Sequence, residues 1–420
     1  MNSVCVLGLG YIGLPTASIL ATNGFKVVGV DVNEKVLDKV RQGEPHIKEP
    51  GLKTLVEAAV RSGNLVVRSR PEPADAFIIA VPTPVTADKK ADLGFVKAAA
   101  ESILPILCAG NLVVLESTCP PGTTKGFLLP ILAQSGLKVG EELYVAYCPE
   151  RVLPGKILKE LVENDRVIGG INLESAEKAR QLYSTFVEGE ILLTDATTAE
   201  MVKLMENTYR DVNIALANEF ALICEELGID VWEAIELANR HPRVHIHNPG
   251  PGVGGHCIPI DPWFIVEKAP HRARLIKLSR EINDHQPYHV LDIILQLTKG
   301  VSSPKVAILG VSYKGNVDDT RESPALVLIQ LLKEQGYSVA AHDPYVQEFE
   351  YELVSIEEAF RGADCAVVMA DHDQYRFLEP ESIGKLMRQR QVLDTRGVLN
   401  AMAWRNASFH VKILGSGKQA

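Results

Sequence analysis

Residues 3–31 constrain this chain more than any other stretch. Ser3-Val4-Cys5-Val6-Leu7 is a short apolar run of buried-strand type, and Gly8-Leu9-Gly10-Tyr11-Ile12-Gly13 follows at once. Leu14 to Asn23 then reads as a helix, Lys26 to Val30 as a second strand, and Asp31 ends it. This order commits the chain to an α/β fold with a parallel sheet. The glycines permit a tight turn and close approach of a pyrophosphate, which sits at the helix N-terminus. Asp31 stands where an acid accepts hydrogen bonds from ribose hydroxyls and disfavours a 2′-phosphate. GxGxxG alone is a weak signal. With strand, helix and acid in place it points to NAD, bound through Gly8, Gly10 and Gly13. A glycine turn with nothing bound is the competing reading.

Ligands of open α/β sheets collect at the carboxyl ends of strands. Ala76 to Val81 ends in Pro82-Thr83-Pro84, and Leu112 to Leu115 ends in Glu116-Ser117-Thr118-Cys119. Thr83 and Thr118 therefore stand where a nicotinamide or substrate would be met, although turn chemistry beside proline explains them equally well. Tyr144 to Tyr147 leads into Cys148-Pro149-Glu150-Arg151-Val152, a loop with a carboxylate and a guanidinium.

Thr197 to Gly228 is the most helix-like stretch. Thr197 and Glu200 read as a capping box and Gly228 as a C-cap. Apolar residues recur at Met201, Met205, Val212, Leu216, Phe220, Ile223 and Leu227. A helix this long suits a spine between domains or a subunit interface. Lys203, Asn207 and Arg210 share one face. Spacing alone favours a solvated face; the functional alternative aims them into a cleft. His241, Arg243, His245 and His247 form a basic segment without zinc spacing, so no metal is expected and an anion or sugar clamp fits better.

Gly250-Pro251-Gly252-Val253-Gly254-Gly255-His256-Cys257 brings a thiol onto a loop without bulky side chains. Such a thiol is a candidate nucleophile, with a buried, inert cysteine as the bland alternative. Adjacent residues usually point apart, so His256 is no presumed base for Cys257. Lys305 to Leu309, Ser338 to Ala341, Cys365 to Met369 and Val392-Leu393 then repeat the strand pattern of the first third, without GxGxxG. The expected fold is two doubly wound, Rossmann-like parallel-sheet domains joined by the long helix. The division is 1–196 for NAD, 197–299 as a central helical segment with the cysteine loop, and 300–420 for a second nucleotide.

With 420 residues the chain exceeds one ordinary core, and its net charge of −10 argues against general nucleic-acid binding. Seven scattered cysteines without CxxC fit a reducing cytoplasm, and no apolar run reaches membrane-spanning length.

Together GLGYIG (8–13), VPTP (81–84), EST (116–118), CPERVLPG (148–155), KLMENTYRDVNIALANE (203–219), GPGVGGHCIPIDP (250–262) and GVSYKGNVDDTRES (310–323) resemble the UDP-glucose/GDP-mannose dehydrogenase family, over essentially the whole chain. His256 and Ile260 stand where glucose-type members more often carry serine and lysine. Together with RHPRV this resembles the members acting on UDP-N-acetylhexosamines, the manno epimer first and the gluco epimer or another nucleotide sugar as the alternative. The resemblance implies oxidation of a sugar CH2OH to a carboxylate with two NAD+. It assigns catalysis to Cys257, Lys203, Asn207, Asp261, Glu150 and Thr118, and NAD contacts to Tyr11, Ile12, Asp31, Thr83, Thr118 and Arg321. Substrate contacts would come from Arg151, Val152, Lys203, Asn207, Arg210, His241, Arg243, Gly252 or Gly254, Tyr313 and Lys314, with Lys412 a weaker candidate. It further implies a homodimer or higher oligomer built on the long helix, and a role in bacterial surface-polysaccharide synthesis. A catalytically silent nucleotide-sugar-binding protein is the rival from another class. The presence of Lys203, Asn207, Cys257 and Asp261 together argues against it.

Overall fold

Parallel strands covered on both faces must be apolar on both, which is why the uninterrupted apolar runs become the sheets. The computed structural model describes residues 1–417. Its first sheet contains β1 (Ser3–Leu7), β2 (Lys26–Val30), β3 (Leu65–Arg68), β4 (Ala76–Ile79), β5 (Leu112–Leu115), β6 (Tyr144–Tyr147), β7 (Arg166–Gly170) and β8 (Ile191–Asp195). The spatial order is β3-β2-β1-β4-β5-β6-β7-β8. Neighbours run parallel except β6 and β7. The order reverses between β1 and β4, a topological switch point at which the strand ends leave a crevice. Alternate residues of the strands enter two apolar clusters. Val4 and Val6 lie in one, Cys5 and Leu7 in the other.

The second sheet contains β9 (Lys305–Leu309), β10 (Ser338–His342), β11 (Cys365–Val368), β12 (Gln391–Asp394) and β13 (His410–Ile413). Its order is β10-β9-β11-β12-β13, all parallel. Both expected Rossmann-like sheets are thus present. The strands β3, β7, β8 and β13 are additions to the sequence expectation. They are short or carry charged and polar residues at one end, so their apolar runs do not stand out.

The chain divides into two compact units. One comprises Met1–Glu206 with Trp263–Pro270, the other Asn207–Pro262 with the residues from His271 onward. The long helix is continuous over Ala196–Leu227. Gly228 follows with φ +72°, the left-handed conformation of a helix stop. The start of this helix differs from the capping-box expectation. Asp195 accepts from the Thr197 and Thr198 amides at 3.0 and 3.3 Å, so it, and not Thr197, is the capping side chain. Glu200 turns inward and accepts from the Gly122 and Thr124 amides at 2.5 and 2.6 Å. Local spacing identified a residue able to cap, but tertiary packing supplied it with other backbone donors.

In the second unit a buried polar chain fixes the glycine loop to the helix. Arg280 and Asn283, on the helix Arg274–Leu297, donate to Asp211 Oδ1 at 2.5 and 2.8 Å. Asn218 Nδ2 donates to Asn283 Oδ1 at 2.8 Å, and the Gly250 amide donates to Asn218 Oδ1 at 2.9 Å. All four side chains are buried. Each needs its partner, because an unpaired polar group there costs more than the bond contributes. The loop therefore has one defined starting point.

Candidate functional site

The glycine turn of the first unit has the shape a dinucleotide needs. Gly8 has φ +92°, and a Cβ there would lie 2.6 Å from the Ala80 carbonyl oxygen. A Cβ on Gly13 would lie 1.8 Å from the Gly8 oxygen, so only glycine lets the turn close. Gly10 is exposed, and a Cβ there would meet nothing within 4 Å. That opening is where a pyrophosphate would approach the backbone. The helix Gly13–Thr22 begins without a side-chain cap, and its Leu14 amide is taken by the Gly10 carbonyl at 3.2 Å, so what its start offers an anion is chiefly the positive end of the helix dipole. Asp31 Oδ2 accepts from the Leu9 amide at 3.0 Å and Oδ1 from the Asn33 amide at 2.9 Å. Its side chain remains partly exposed, so a ribose hydroxyl can reach it. These residues fit NAD. Tyr11 is exposed and Ile12 half-buried beside them. Thr83 is buried and donates to the Thr118 carbonyl at 2.5 Å, which ties together the loops after β4 and β5.

Glu150 is held from two sides. Its Oε1 accepts from the Arg151 amide at 2.7 Å, and its Oε2 accepts from Arg166 Nη2 at 3.0 Å. Arg166 is itself buried, opening β7 and stacking over the Tyr183 ring 4.9 Å away. Tyr183 donates to Glu116 Oε1 at 2.6 Å. Burial, reinforced by the Glu150 charge, pushes the Glu116 carboxyl up to about 7. The nearby Arg166 charge opposes this rise without overcoming it. Neither Arg166 nor Tyr183 stands out in the sequence as a site residue. The only signal was an arginine at the head of the apolar run Val167-Ile168-Gly169-Gly170. Arg151 itself bonds Glu206 at 2.6 Å and also the Asp165 carbonyl, while Val152 is half-buried.

The cysteine loop of the second unit is shaped by contact with residues 313–324. A Cβ on Gly254 would lie 2.6 Å from both the Glu322 oxygen and Tyr313 Cβ. One on Gly255, where φ is +95°, would lie 3.1 Å from the Tyr313 ring. Gly252 has φ +131° and faces Pro324. The glycines therefore let the loop lie against Tyr313, and the Gly255 amide donates to the Arg321 carbonyl at 2.8 Å. Cys257 is half-buried, unlike the fully buried Cys5, Cys119, Cys148 and Cys365. Burial pushes Cys5, Cys148 and Cys365 up to about 12, which leaves them inert thiols. The Cys257 carbonyl accepts from the Ile260 and Asp261 amides at 3.1 and 2.8 Å, starting the helix Asp261–Lys268. Asp261 is buried, and its Oδ2 accepts from Asn207 Nδ2 at 2.5 Å.

Along the long helix Lys203 is buried, Asn207 half-buried and Arg210 exposed. Lys203 is accordingly not part of a solvated face. His241 and Arg243 are exposed on a loop closed at its base by Asn239, which bonds both the amide and the carbonyl of Ile246. Arg321 forks onto Asp319, with Nη2 to Oδ2 at 2.6 Å. Lys314 is exposed, and Lys412 donates to the Ser416 carbonyl at 2.7 Å. Among the described residues no cluster of three or more His, Cys, Asp or Glu side chains could hold a metal ion. No described helix is long and apolar enough to cross a membrane.

Comparison with known proteins matches three parts of the UDP-glucose/GDP-mannose dehydrogenase family. They are its NAD binding domain at residues 2–187, its central domain at 197–285 and its UDP binding domain at 307–401. A UDP-N-acetyl-D-mannosamine dehydrogenase of Methanococcus maripaludis is 54% identical, over 99% of this chain and 98% of its own. An NDP-N-acetyl-D-galactosaminuronic acid dehydrogenase of Ralstonia nicotianae is 49% identical, over 95% and 97%. The solved structure of a UDP-D-ManNAc dehydrogenase from Pyrococcus horikoshii superposes with a TM-score of 0.94 at 42% identity, covering 99% of this chain and 100% of that one. The chain belongs to the UDP-glucose/GDP-mannose dehydrogenase family, and NAD is its cofactor.

Proposed function

We propose that the protein oxidises C6 of UDP-N-acetyl-D-mannosamine to the carboxylate, giving UDP-N-acetyl-D-mannosaminuronic acid. The balance is one CH2OH, one water and two NAD+ to one carboxylate, two NADH and three protons. Bound NAD supplies the hydride acceptor for each of the two oxidations. The observation that carries the reading is the Asn207–Asp261 hydrogen bond, made four residues after a half-buried cysteine on a glycine loop. It holds the carboxylate that follows the thiol in one direction against the long helix.

Lys203, or a water held by it and Asp261, takes the hydroxyl proton in the first oxidation. The aldehyde carbon is then attacked by Cys257 Sγ, forming a C–S bond and a thiohemiacetal. This keeps the aldehyde bound and splits a hard step in two. The second oxidation converts it to a thioester. Water, deprotonated by Glu150 with Thr118 beside it, adds to the acyl carbon. The C–S bond breaks, and the thiol and the carboxylate are released. Lys203 and Asn207 stabilise the oxyanion as preorganised donors.

Arg151, Val152, Arg210, His241, Arg243, Gly252 or Gly254, Tyr313 and Lys314 are the proposed nucleotide-sugar contacts, and Arg321 a further contact of NAD. Lys412 is a weaker candidate for the substrate. We assign NAD binding to 1–196, the cysteine loop to 197–299 and UDP-sugar binding to 300–420. A homodimer through the long helix is supported by its exposed Leu216, Ile223 and Leu227, which recur at helical spacing. Cytoplasmic location and service to a surface-polysaccharide pathway complete the proposal.

The galactosaminuronic acid enzyme among the relatives favours one competing reading, the same chemistry on another N-acetylhexosamine nucleotide. Assay of purified protein with the manno, gluco and galacto UDP-N-acetyl sugars decides between them. Two NADH per molecule of the manno sugar are expected. Fast turnover of another epimer with none of the manno would reject the assignment, and one NADH per sugar would reject the four-electron chemistry.

A further inference from the structure

The second unit repeats the strand-turn-helix-strand-acid order of the first, with Gly310 at φ +91° after β9 and Asp343 after β10. The two acids hold their turns alike. Asp343 Oδ2 accepts from the Val311 and Ser312 amides at 2.8 and 3.1 Å, as Asp31 Oδ2 accepts from that of Leu9 at 3.0 Å. Asp343 Oδ1 accepts from the Tyr345 amide at 2.9 Å, as Asp31 Oδ1 does from that of Asn33.

From there the two sites diverge. Asp31 stays partly exposed, whereas the Asp343 side chain is fully buried. Asp343 Oδ1 also accepts from the Val346 amide at 3.1 Å, and Oδ2 lies 3.0 Å from His372 Nε2. Five N–H groups address two oxygens, which have about four lone-pair sites, so no capacity is left for a ribose hydroxyl. Burial opposes this charge, but the bonds from His372 and the amides outweigh it and hold Asp343 down to about 2. His372 is itself buried between the rings of Tyr345 and Tyr375, at 5.0 and 5.3 Å. Its Nδ1 accepts from the Asn316 amide at 2.8 Å. That bond assigns the neutral tautomer whose proton is on Nε2, directed at Asp343.

The residues flanking His372 grip the same turn. The Gly315 amide donates to Asp371 Oδ1 at 2.9 Å. Asn316 Nδ2 donates to Asp373 Oδ2 at 2.8 Å, and the Asp373 amide returns a bond to Asn316 Oδ1 at 3.0 Å. Ser312 Oγ donates to the Lys314 carbonyl at 2.8 Å from within the turn and lies 3.3 Å from His372 Nε2. Arg396 donates to the Tyr313 carbonyl at 3.3 Å from the other side. Asn316 is thereby kept at φ +62°, a conformation costly for a residue with a side chain.

We propose that His372 is a positioning residue of the nucleotide-sugar site, bridging the strand-end acid Asp343 to the Asn316 amide so that Tyr313 and Lys314 are presented in one geometry. The acid that serves a dinucleotide in the first half has been converted, in the second, into the anchor of a loop that meets a uridine nucleotide. This rests on the reading of Tyr313 and Lys314 as substrate contacts.

The test is calorimetric titration of the full-length protein with UDP and, separately, with NAD, plus the KM and kcat for the sugar nucleotide. His372→Gln keeps a donor toward Asp343 and removes the acceptor at Nδ1. His372→Asn places an amide oxygen near the Nδ1 position. His372→Gln is expected to raise the UDP Kd and the sugar-nucleotide KM about tenfold, the worth of one hydrogen bond. The NAD Kd and kcat should stay at the wild-type values, and His372→Asn should recover most of the loss. A merely structural role would lower thermal stability without this split between KM and kcat. Asp373→Ala, an exposed change that needs no repacking, should weaken UDP about threefold through the same loop, which keeps the proposal testable if the His372 variants fail to fold. Wild-type UDP affinity in folded His372→Gln, or in Asp373→Ala, would overturn the positioning role alone. Absence of UDP binding by the wild type would overturn the substrate reading and this inference with it.

Discussion

Asn207 Nδ2 donates to Asp261 Oδ2 at 2.5 Å, across 54 residues of sequence. One partner is on the long helix, and the other starts the helix that follows the cysteine loop. Asp261 is buried, so this bond sets the direction of its carboxylate. Asn207→Ala should lower kcat by about 10²- to 10³-fold, the usual effect of losing one preorganised donor at an oxyanion. NAD affinity should stay unchanged. Steady-state kinetics with an NAD titration separate the two.

Cys257→Ser should abolish acid formation, because an alkoxide ester formed on serine lacks the thiolate leaving group. Quantifying acid and NADH per sugar checks this. Acid output equal to wild type would reject the thioester route.

Two glycines of the first turn should respond oppositely to the same change. Gly10→Ala meets no neighbour, so the melting temperature should hold while the NAD Kd rises tenfold or more. Gly13→Ala drives a methyl into the Gly8 oxygen at 1.8 Å and should cost the domain its stability. Thermal melts with and without NAD tell these apart.

Removing one partner of a buried ion pair leaves the other charge uncompensated. Arg166→Met should therefore cost about 3–5 kcal/mol. Adding Glu150→Gln to it should restore much of that stability, although activity stays low. Urea unfolding of the single and double variants measures the coupling.

Stability should also carry the mark of Glu116. Burial raises its folded pKa to about 7, above the ordinary 4.5 of a glutamate in water. Between these values the unfolded chain has lost the proton and the folded one keeps it, so stability falls as pH rises from about 4.5 to about 7. The change is on the order of 3 kcal/mol. Glu116→Gln should flatten that part of the pH–stability curve. An unchanged slope would show that Glu116 is not the group responsible.

Much of the fold could be read directly because it rests on local pattern. β1, β2, β5, β6 and β9 lie where their apolar runs put them, and the helix Ala196–Leu227 lies where the apolar periodicity of 197–228 predicts it. A strand buried on both faces must be apolar throughout, and that requirement is written residue by residue. The same holds for Gly8 and Gly13, where backbone sterics permit no other residue.

Relations between distant segments were decided only by the tertiary structure. Glu200 has the spacing of a helix cap, yet it serves the Gly122 and Thr124 amides. Arg166 looks like a surface charge, yet it is the buried partner of Glu150. Asp31 and Asp343 are both acids at strand ends. One is left partly exposed, and the other is saturated by amides and His372. Sequence determines which chemical groups exist and which local conformations they allow. Burial and the donors brought from remote parts of the chain decide which partner each group takes, because a polar group out of water must be satisfied by whatever the fold places beside it.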